Sequence, residues 1–227
     1  MDFSDTGLPI ELKRIKGQRS IRIRVYSHQN RIVVTAPYLV SRKSIKQFVW
    51  KQLDWIKKHF RPIDFRASDL SVLLWGRKFK LSFEESNKSG FQIENGKVIL
   101  FAPASKLVTY EDKWRWLNRF YLEQMKIAAN PLVLKWQKVM SAPVKTLHFR
   151  KMSSRWGSCS PYNGRVCLNS ELAKYPPEAL EYVIVHELAH FFVSDHGPKF
   201  KALLNHYLPH WKTGKQLLDT PNFFALD

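Results

Sequence analysis

Val183-Ile184-Val185-His186-Glu187-Leu188-Ala189-His190 is the stretch from which the rest of this chain is read. Side chains four apart on an α-helix stand one above the other, so His186 and His190 project from one face. Two imidazoles one turn apart can reach a zinc ion at about 2.0–2.1 Å without distorting the backbone. Glu187 is one position on and points about 100° round the helix, within reach of a metal-held water without being a ligand. That is the physical content of the spacing H-E-x-x-H. The helix is apolar nearly all round, through Leu180, Val183, Ile184, Val185, Leu188, Phe191 and Phe192, as a buried element must be. A buried helix holding two histidines and a carboxylate needs partners for all three, and a metal satisfies them together.

Towards the C-terminus, the spacing predicts this helix from Glu178, opened by Pro176-Pro177, to about Val193, and a shorter one after Gly197-Pro198 through Leu208. A third metal ligand is required. His196 is the leading candidate, because the loop Val193-Ser194-Asp195 can fold back and bring it to the metal. Asp195 is the alternative, as a ligand or as acceptor of a histidine N–H. His206 and His210 are also four apart, but Pro209 lies between them, and they read as surface residues. His148 falls in a strand with no partner visible in sequence.

Towards the N-terminus the second half reads as helical around one hairpin. A helix from Glu111 to Met140 is expected to break or bend near Pro131. Strand-like Val144 to Phe149, the loop Ser153 to Asn163 and the strand Arg165 to Asn169 follow. An extended substrate is expected to add alongside the last of these, taken as an edge strand. The first half reads as β. Ser20 to Tyr26 alternates Ile21, Ile23 and Val25 with Arg22 and Arg24. A turn at His28-Gln29-Asn30 leads to a strand from Arg31 to Thr35, ended by Ala36-Pro37, and a helical pattern begins at Ser44. The order then recurs: strands at Phe79 to Phe83 and Phe91 to Ile93, the turn Asn95-Gly96, a strand from Lys97 to Phe101, then Ala102-Pro103 and a helix. The two passages are 66 residues apart and read as a duplicated hairpin-then-helix unit. The fold class is therefore α+β, with a basic β-rich domain over residues 1–105 and a helical metallohydrolase domain over 106–227.

Composition sets the outer bounds. The 227 residues are 44% apolar and 14% aromatic, enough for a buried core and incompatible with global disorder. Lys and Arg number 37 against 19 Asp and Glu, a net charge of +18, which bears on partners and not on fold. Residues 1–63 hold 14 of the basic and 4 of the acidic side chains. Lys13, Arg14, Lys16, Arg19, Arg22, Arg24 and Arg31 make a stripe that can contact phosphates, so nucleic acid is a partner to consider beside a protein or peptide substrate. Cys159 and Cys167 are too few for a disulfide framework or a four-cysteine zinc site. No run is long and apolar enough to span a bilayer. With an acidic N-terminus unlike a signal peptide, the chain reads as cytoplasmic with no membrane partner.

Arg155-Trp156-Gly157-Ser158-Cys159-Ser160, then Leu168-Asn169, then VIVHELAH and DHGPKF, resemble the YgjP-like metallopeptidases. These are predicted metal-dependent hydrolases related to the SprT and WLM zincins. The likeness is strongest over about residues 140–210, and the basic β region before it resembles the longer members. The ligand spacing also matches that of metzincins, but Val193 stands where they carry a turn glycine, so the chain is not placed there. The resemblance implies one Zn2+ per chain bound by His186, His190 and His196, with Glu187 as general base. It further implies that Trp156, Gly157 and Ser158 shape the floor of the cleft, although Trp156 and Cys159 read equally as core packing.

The expected activity is therefore zinc-dependent peptide hydrolysis by a Glu-activated water. Arg155, Trp156, Asn169 and Tyr207 are the candidate substrate-binding residues, with Tyr207, Arg155 and Asn169 also considered for steadying the oxyanion. Two other readings keep the metal: a nucleotide phosphohydrolase using Arg150, Lys151 and Arg155, and a nucleic-acid-binding module whose metal domain acts on DNA-bound protein.

Overall fold

The computed structural model describes residues 3–26, 30–60, 65, 70–152 and 154–219. The expected turn residues His28 and Gln29, and Ser153, lie outside them. Among the described residues there are ten strands and six α-helices, an α+β architecture. Contacts divide the chain into two compact units, residues 1–67 with 108–114, and residues 68–107 with 115–227. The division thus differs from a cut at residue 105, because the second sheet is bonded to the helical part: Trp75 N–H donates to the Ala173 carbonyl at 2.8 Å and Gly76 N–H to Lys174 at 3.1 Å.

The first unit is a three-stranded sheet under two helices. Strands β1 (Ile10–Ile15), β2 (Arg22–Tyr26) and β3 (Arg31–Pro37) lie in the order β1-β3-β2, with β1 parallel and β2 antiparallel to β3. Alternation sends Ile32, Val34 and Ala36 inward, where they meet Ile45, Val49 and Ile56 from α1 (Arg42–Lys51) and α2 (Leu53–His59). The helical pattern begins earlier than Ser44 because Ser41 caps it, its side chain accepting from the Ser44 N–H at 3.1 Å; such caps contribute about 1 kcal/mol. Part of the basic stripe is spent within this unit. Arg14 donates to the carbonyls of Pro37 and Tyr38 at 2.8 and 3.1 Å, and Lys13 and Arg31 both lie within ion-pair distance of Glu11.

The second unit repeats the strand order twice. Strands β4 (Ser71–Leu74), β5 (Arg77–Glu85), β6 (Gly90–Glu94) and β7 (Lys97–Ala102) form a sheet in the order β4-β5-β7-β6, with β5 parallel and β6 antiparallel to β7. That is the arrangement of β1, β2 and β3, and β7 begins at Lys97, 66 residues after β3 begins at Arg31. The duplication visible in sequence is thus a repeated sheet topology. The strands β1 and β4 are additions to the sequence reading. β4 has only four residues, and in β1 (IELKRI) the alternation is broken at its end, where Arg14 takes an inward position and Ile15 an outward one.

Helix α3 (Tyr110–Met140) is continuous through Pro131 rather than broken there. It is fastened at several points: Tyr121 Oη donates to the Leu73 carbonyl at 2.9 Å, and Trp136 Nε1 donates to Glu181 at 2.9 Å. Tertiary contacts of this kind can outweigh the loss of one backbone bond at a proline. A third sheet joins β8 (Thr146–Arg150), β9 (Gly157–Ser160) and β10 (Arg165–Asn169) in the order β8-β10-β9. Residues Arg165 to Asn169 are therefore the central strand, not the edge, because β8 pairs with them on one side and β9 on the other. The two edges belong to β8 and β9, and β9 hid within the expected loop because its four residues, GSCS, carry no apolar alternation.

Helix α4 (Pro177–Ala189) follows, then α5 (Pro198–Tyr207) and α6 (Trp211–Asp219). The first ends at Ala189 rather than near Val193, with His190 as its cap. Helix α6, absent from the sequence reading, packs on α4 at Gly214, where a Cβ would lie 2.5 Å from Tyr182 Cβ and 2.6 Å from the Glu178 carbonyl oxygen. No helix among the described residues is long and apolar enough to cross a membrane.

Candidate active site

Helix α4 is buried on nearly all sides, so its polar residues are held rather than solvated. His186 and His190 rise from one face with ring centroids 5.0 Å apart. Beyond α4 the chain turns back, and His196 comes to stand with its Nε2 3.1 Å from His186 Nε2. One ligand atom from each of the three histidines lies within 4.8 Å of the others. Nitrogens about 2.0–2.1 Å from a tetrahedral ion sit about 3.3–3.4 Å from one another, so the trio is close to a ligand set before any ion is added.

Two of the other ring nitrogens have partners. His190 Nδ1 lies 3.1 Å from the Val193 carbonyl, to which it donates, leaving Nε2 with a free lone pair. Tyr182 Oη is 3.4 Å from His186 Nδ1. Ligating histidines are oriented by such outer bonds. Burial, reinforced by the two neighbouring imidazoles, pushes His186 down to about 4, so its ring is neutral at neutral pH, as a ligand must be. Phe200, 1% exposed, lies against all three rings with centroids 4.8–4.9 Å away. Asp195 is not part of this group. Its carboxylate accepts from the Gly197 N–H at 2.7 Å and fixes the turn that carries His196.

Glu187 faces the other side of the same space. Its side chain is buried, and burial pushes it up to about 7 against a smaller downward pull from Arg155. A carboxylate titrating near neutrality suits proton transfer in both directions. Its back rests on β9. A Cβ at Gly157 would stand 2.5 Å from Glu187 Oε1 and 2.6 Å from Cγ, a separation that real Cβ atoms do not reach, so only glycine leaves the carboxylate where it is. Gly157→Ala should therefore lower kcat about 100-fold, the scale of a 1 Å misplacement of a reacting group, while bound metal per chain stays at the wild-type level. Steady-state kinetics and elemental analysis on the same preparation would check this.

A cleft of about 600 Å³ opens over these residues, lined among others by Arg155, Trp156, Ser158, Cys159 and Tyr182. Arg155 and Trp156 thus line the cleft, and Trp156 also packs edge-on against Tyr175 at 5.0 Å, so lining the cleft and core packing are compatible for it. The other two candidates are placed differently. Tyr207 does not line the cleft. Asn169 is 2% exposed and its side chain is fully used. Oδ1 accepts from Met152 N–H and Glu171 N–H, and Nδ2 donates to the carbonyls of Met152 and Arg155, all at 2.9–3.2 Å. It is the fastening of the loop that carries Arg155. His148, His206 and His210 are exposed and apart from the group. The sequence reading missed Tyr182 and Leu218 of the cleft and Phe200 against the three imidazoles. Of these only Tyr182 carried a local signal, one helical turn before His186.

A family model described as the YgjP-like metallopeptidase domain matches residues 19–221. The chain belongs to the YgjP-like family. Membership makes it a metal-dependent peptidase, with the three-histidine group as a place where a divalent ion can bind. Among solved structures, this YgjP-like chain is similar to the metallopeptidase zymogen jannalysin of Methanocaldococcus jannaschii. The two share 22% identity over 39% of this chain and 91% of that one, with a TM-score of 0.36. Abylysin of Pyrococcus abyssi, another metallopeptidase zymogen, shares 22% identity over 39% and 87%, with a TM-score of 0.34. No curated protein sequence matches the chain.

Proposed function

We propose that the chain is a zinc-dependent endo- or exopeptidase in which His186, His190 and His196 hold the ion and Glu187 moves the proton. The observation that carries this is the pairing of three converging imidazoles with a buried carboxylate in one cleft. The donor set is all imidazole nitrogen, which suits zinc among the divalent ions. A bound Zn2+ supplies Lewis acidity towards a substrate carbonyl and a lowered pKa for water.

The chain's own residues do the rest. Tyr182 and the Val193 carbonyl hold two of the histidines in orientation through their Nδ1 atoms. Glu187 accepts a proton from the attacking water and passes it to the leaving amine nitrogen, so the peptide C–N bond breaks with no net change in the enzyme. Gly157 keeps that carboxylate in place from behind. The free edge of β9, whose Gly157, Ser158 and Cys159 line the cleft, offers main-chain groups to an extended peptide, the strand-addition mode of recognition.

The test is hydrolysis of a mixed peptide library by zinc-loaded protein, read by mass spectrometry before and after chelation. Cleavage should disappear with the chelator and return when zinc is added back. Cleavage that persists in the metal-free protein overturns the reading.

A further inference from the structure

A second cavity, of about 370 Å³, lies beside the metal cleft, and Arg155 and Trp156 belong to the walls of both. Its size is within the range of small-molecule sites, about 300–1,000 Å³. The remaining walls are Lys151, Met152, Ser154, Asn169 and Glu171. The polar inventory of this space is lopsided. Asn169 has both carboxamide ends committed to backbone, as described above. Glu171 is the one acidic wall residue among those described, and each of its oxygens already faces an ammonium group. Oε1 lies 3.3 Å from Lys151 Nζ and Oε2 2.7 Å from Lys174 Nζ. One buried carboxylate is thus shared by two lysines, and Arg155 adds a third cation at the border with the metal cleft.

Burial pulls the Lys151 ammonium below its ordinary value, and Glu171 only partly offsets this. An incoming anion would be met in this space by Lys151, its side chain 34% exposed, and by the exposed Arg155 through charge-assisted bonds, the stronger class of hydrogen bond. Met152 and the Trp156 ring supply apolar walls for the carbon chain that carries it.

We propose that this cavity is a carboxylate-binding subsite of the enzyme, in which Lys151 and Arg155 receive an anionic group of the peptide whose backbone lies in the metal cleft. This rests on the peptidase reading above. The carboxylate is that of an acidic side chain or of a free C-terminus, and the two are separable. Asn169 is a positioning residue here, since it fixes the Met152 and Arg155 backbone without itself having an atom to offer.

Zinc-loaded Glu187→Gln protein, titrated with otherwise identical short peptides, reads the subsite through binding alone. One pair exchanges Glu for Gln, and the other exchanges a free C-terminal carboxylate for an amide. The carboxylate member of one pair should bind about 10-fold tighter, the usual scale of a hydrogen bond to a charged group, and the pair that discriminates names the source. The preference should shrink as salt is raised, fall towards unity in Lys151→Gln, and persist in Lys151→Arg. Equal binding within both pairs overturns the subsite, with no variant needed. Wild-type turnover of the same peptides separates this from the reading beneath it. Selective binding without cleavage keeps the subsite and sinks the peptidase, whereas cleavage and binding without selectivity sink the subsite alone.

Discussion

Replacing Glu187 by Gln should abolish peptide hydrolysis while leaving zinc in place. Glutamine has the shape of the carboxylate, so the contact with Gly157 survives and α4 keeps its packing. What is lost is a group able to take up and release a proton, and general acid–base catalysis contributes typically about 10²–10⁴-fold. We expect kcat to fall by at least that factor, with zinc per chain unchanged by elemental analysis. The change also removes a buried group that titrates near neutrality, so thermal stability should not fall and the lost activity has no structural excuse. A mutant with wild-type kcat would remove Glu187 from the chemistry.

His196→Ala should act at the other half of the site. His186 and His190 come from one rigid helix and stay where they are, but two imidazoles leave a tetrahedral ion half-held. His196 is also the exposed member of the trio, carried by the turn that Asp195 fixes, so its truncation leaves no cavity in the core. Loss of outer-sphere partners alone costs about 10–100-fold in metal affinity, and removal of a ligand should cost more than the upper end of that range. Protein purified without added metal should then carry far less than the wild-type zinc, measured on both proteins in parallel, with melting temperatures of the metal-free forms little changed. A mutant that binds zinc as tightly as wild type would show that another residue completes the set.

The group of residues proposed to hold the metal was legible because its signal is local. Histidines four apart, a glutamate between them and an apolar surround are properties of one helix, and period alone places them on it. The two hairpins were legible for the same reason: Arg22 and Arg24 alternating with Ile21, Ile23 and Val25 is a period of two, and Asn95-Gly96 is a turn of defined type. Strand β9 was not legible, since GSCS has no periodicity to read. The continuity of α3 through Pro131 was also out of reach, because what holds it are bonds from Tyr121 and Trp136 to residues about fifty positions away.

Taken by itself, the sequence determined the class of the fold and the repeated sheet unit, and it picked out the three histidines that the fold brings within 4.8 Å of one another. Only the tertiary structure decided that β10 is central and β9 an edge strand. It also decided that the Asn169 side chain is spent on fastening a loop, that Gly157 backs Glu187, and that Lys151 and Arg155 share a cavity beside the cleft. The division has a physical reason. Backbone periodicity is written in neighbouring residues, whereas a side chain's partners are set by which distant segments pack against it, and a polar residue means one thing when its bonds are free and another when the fold has already used them.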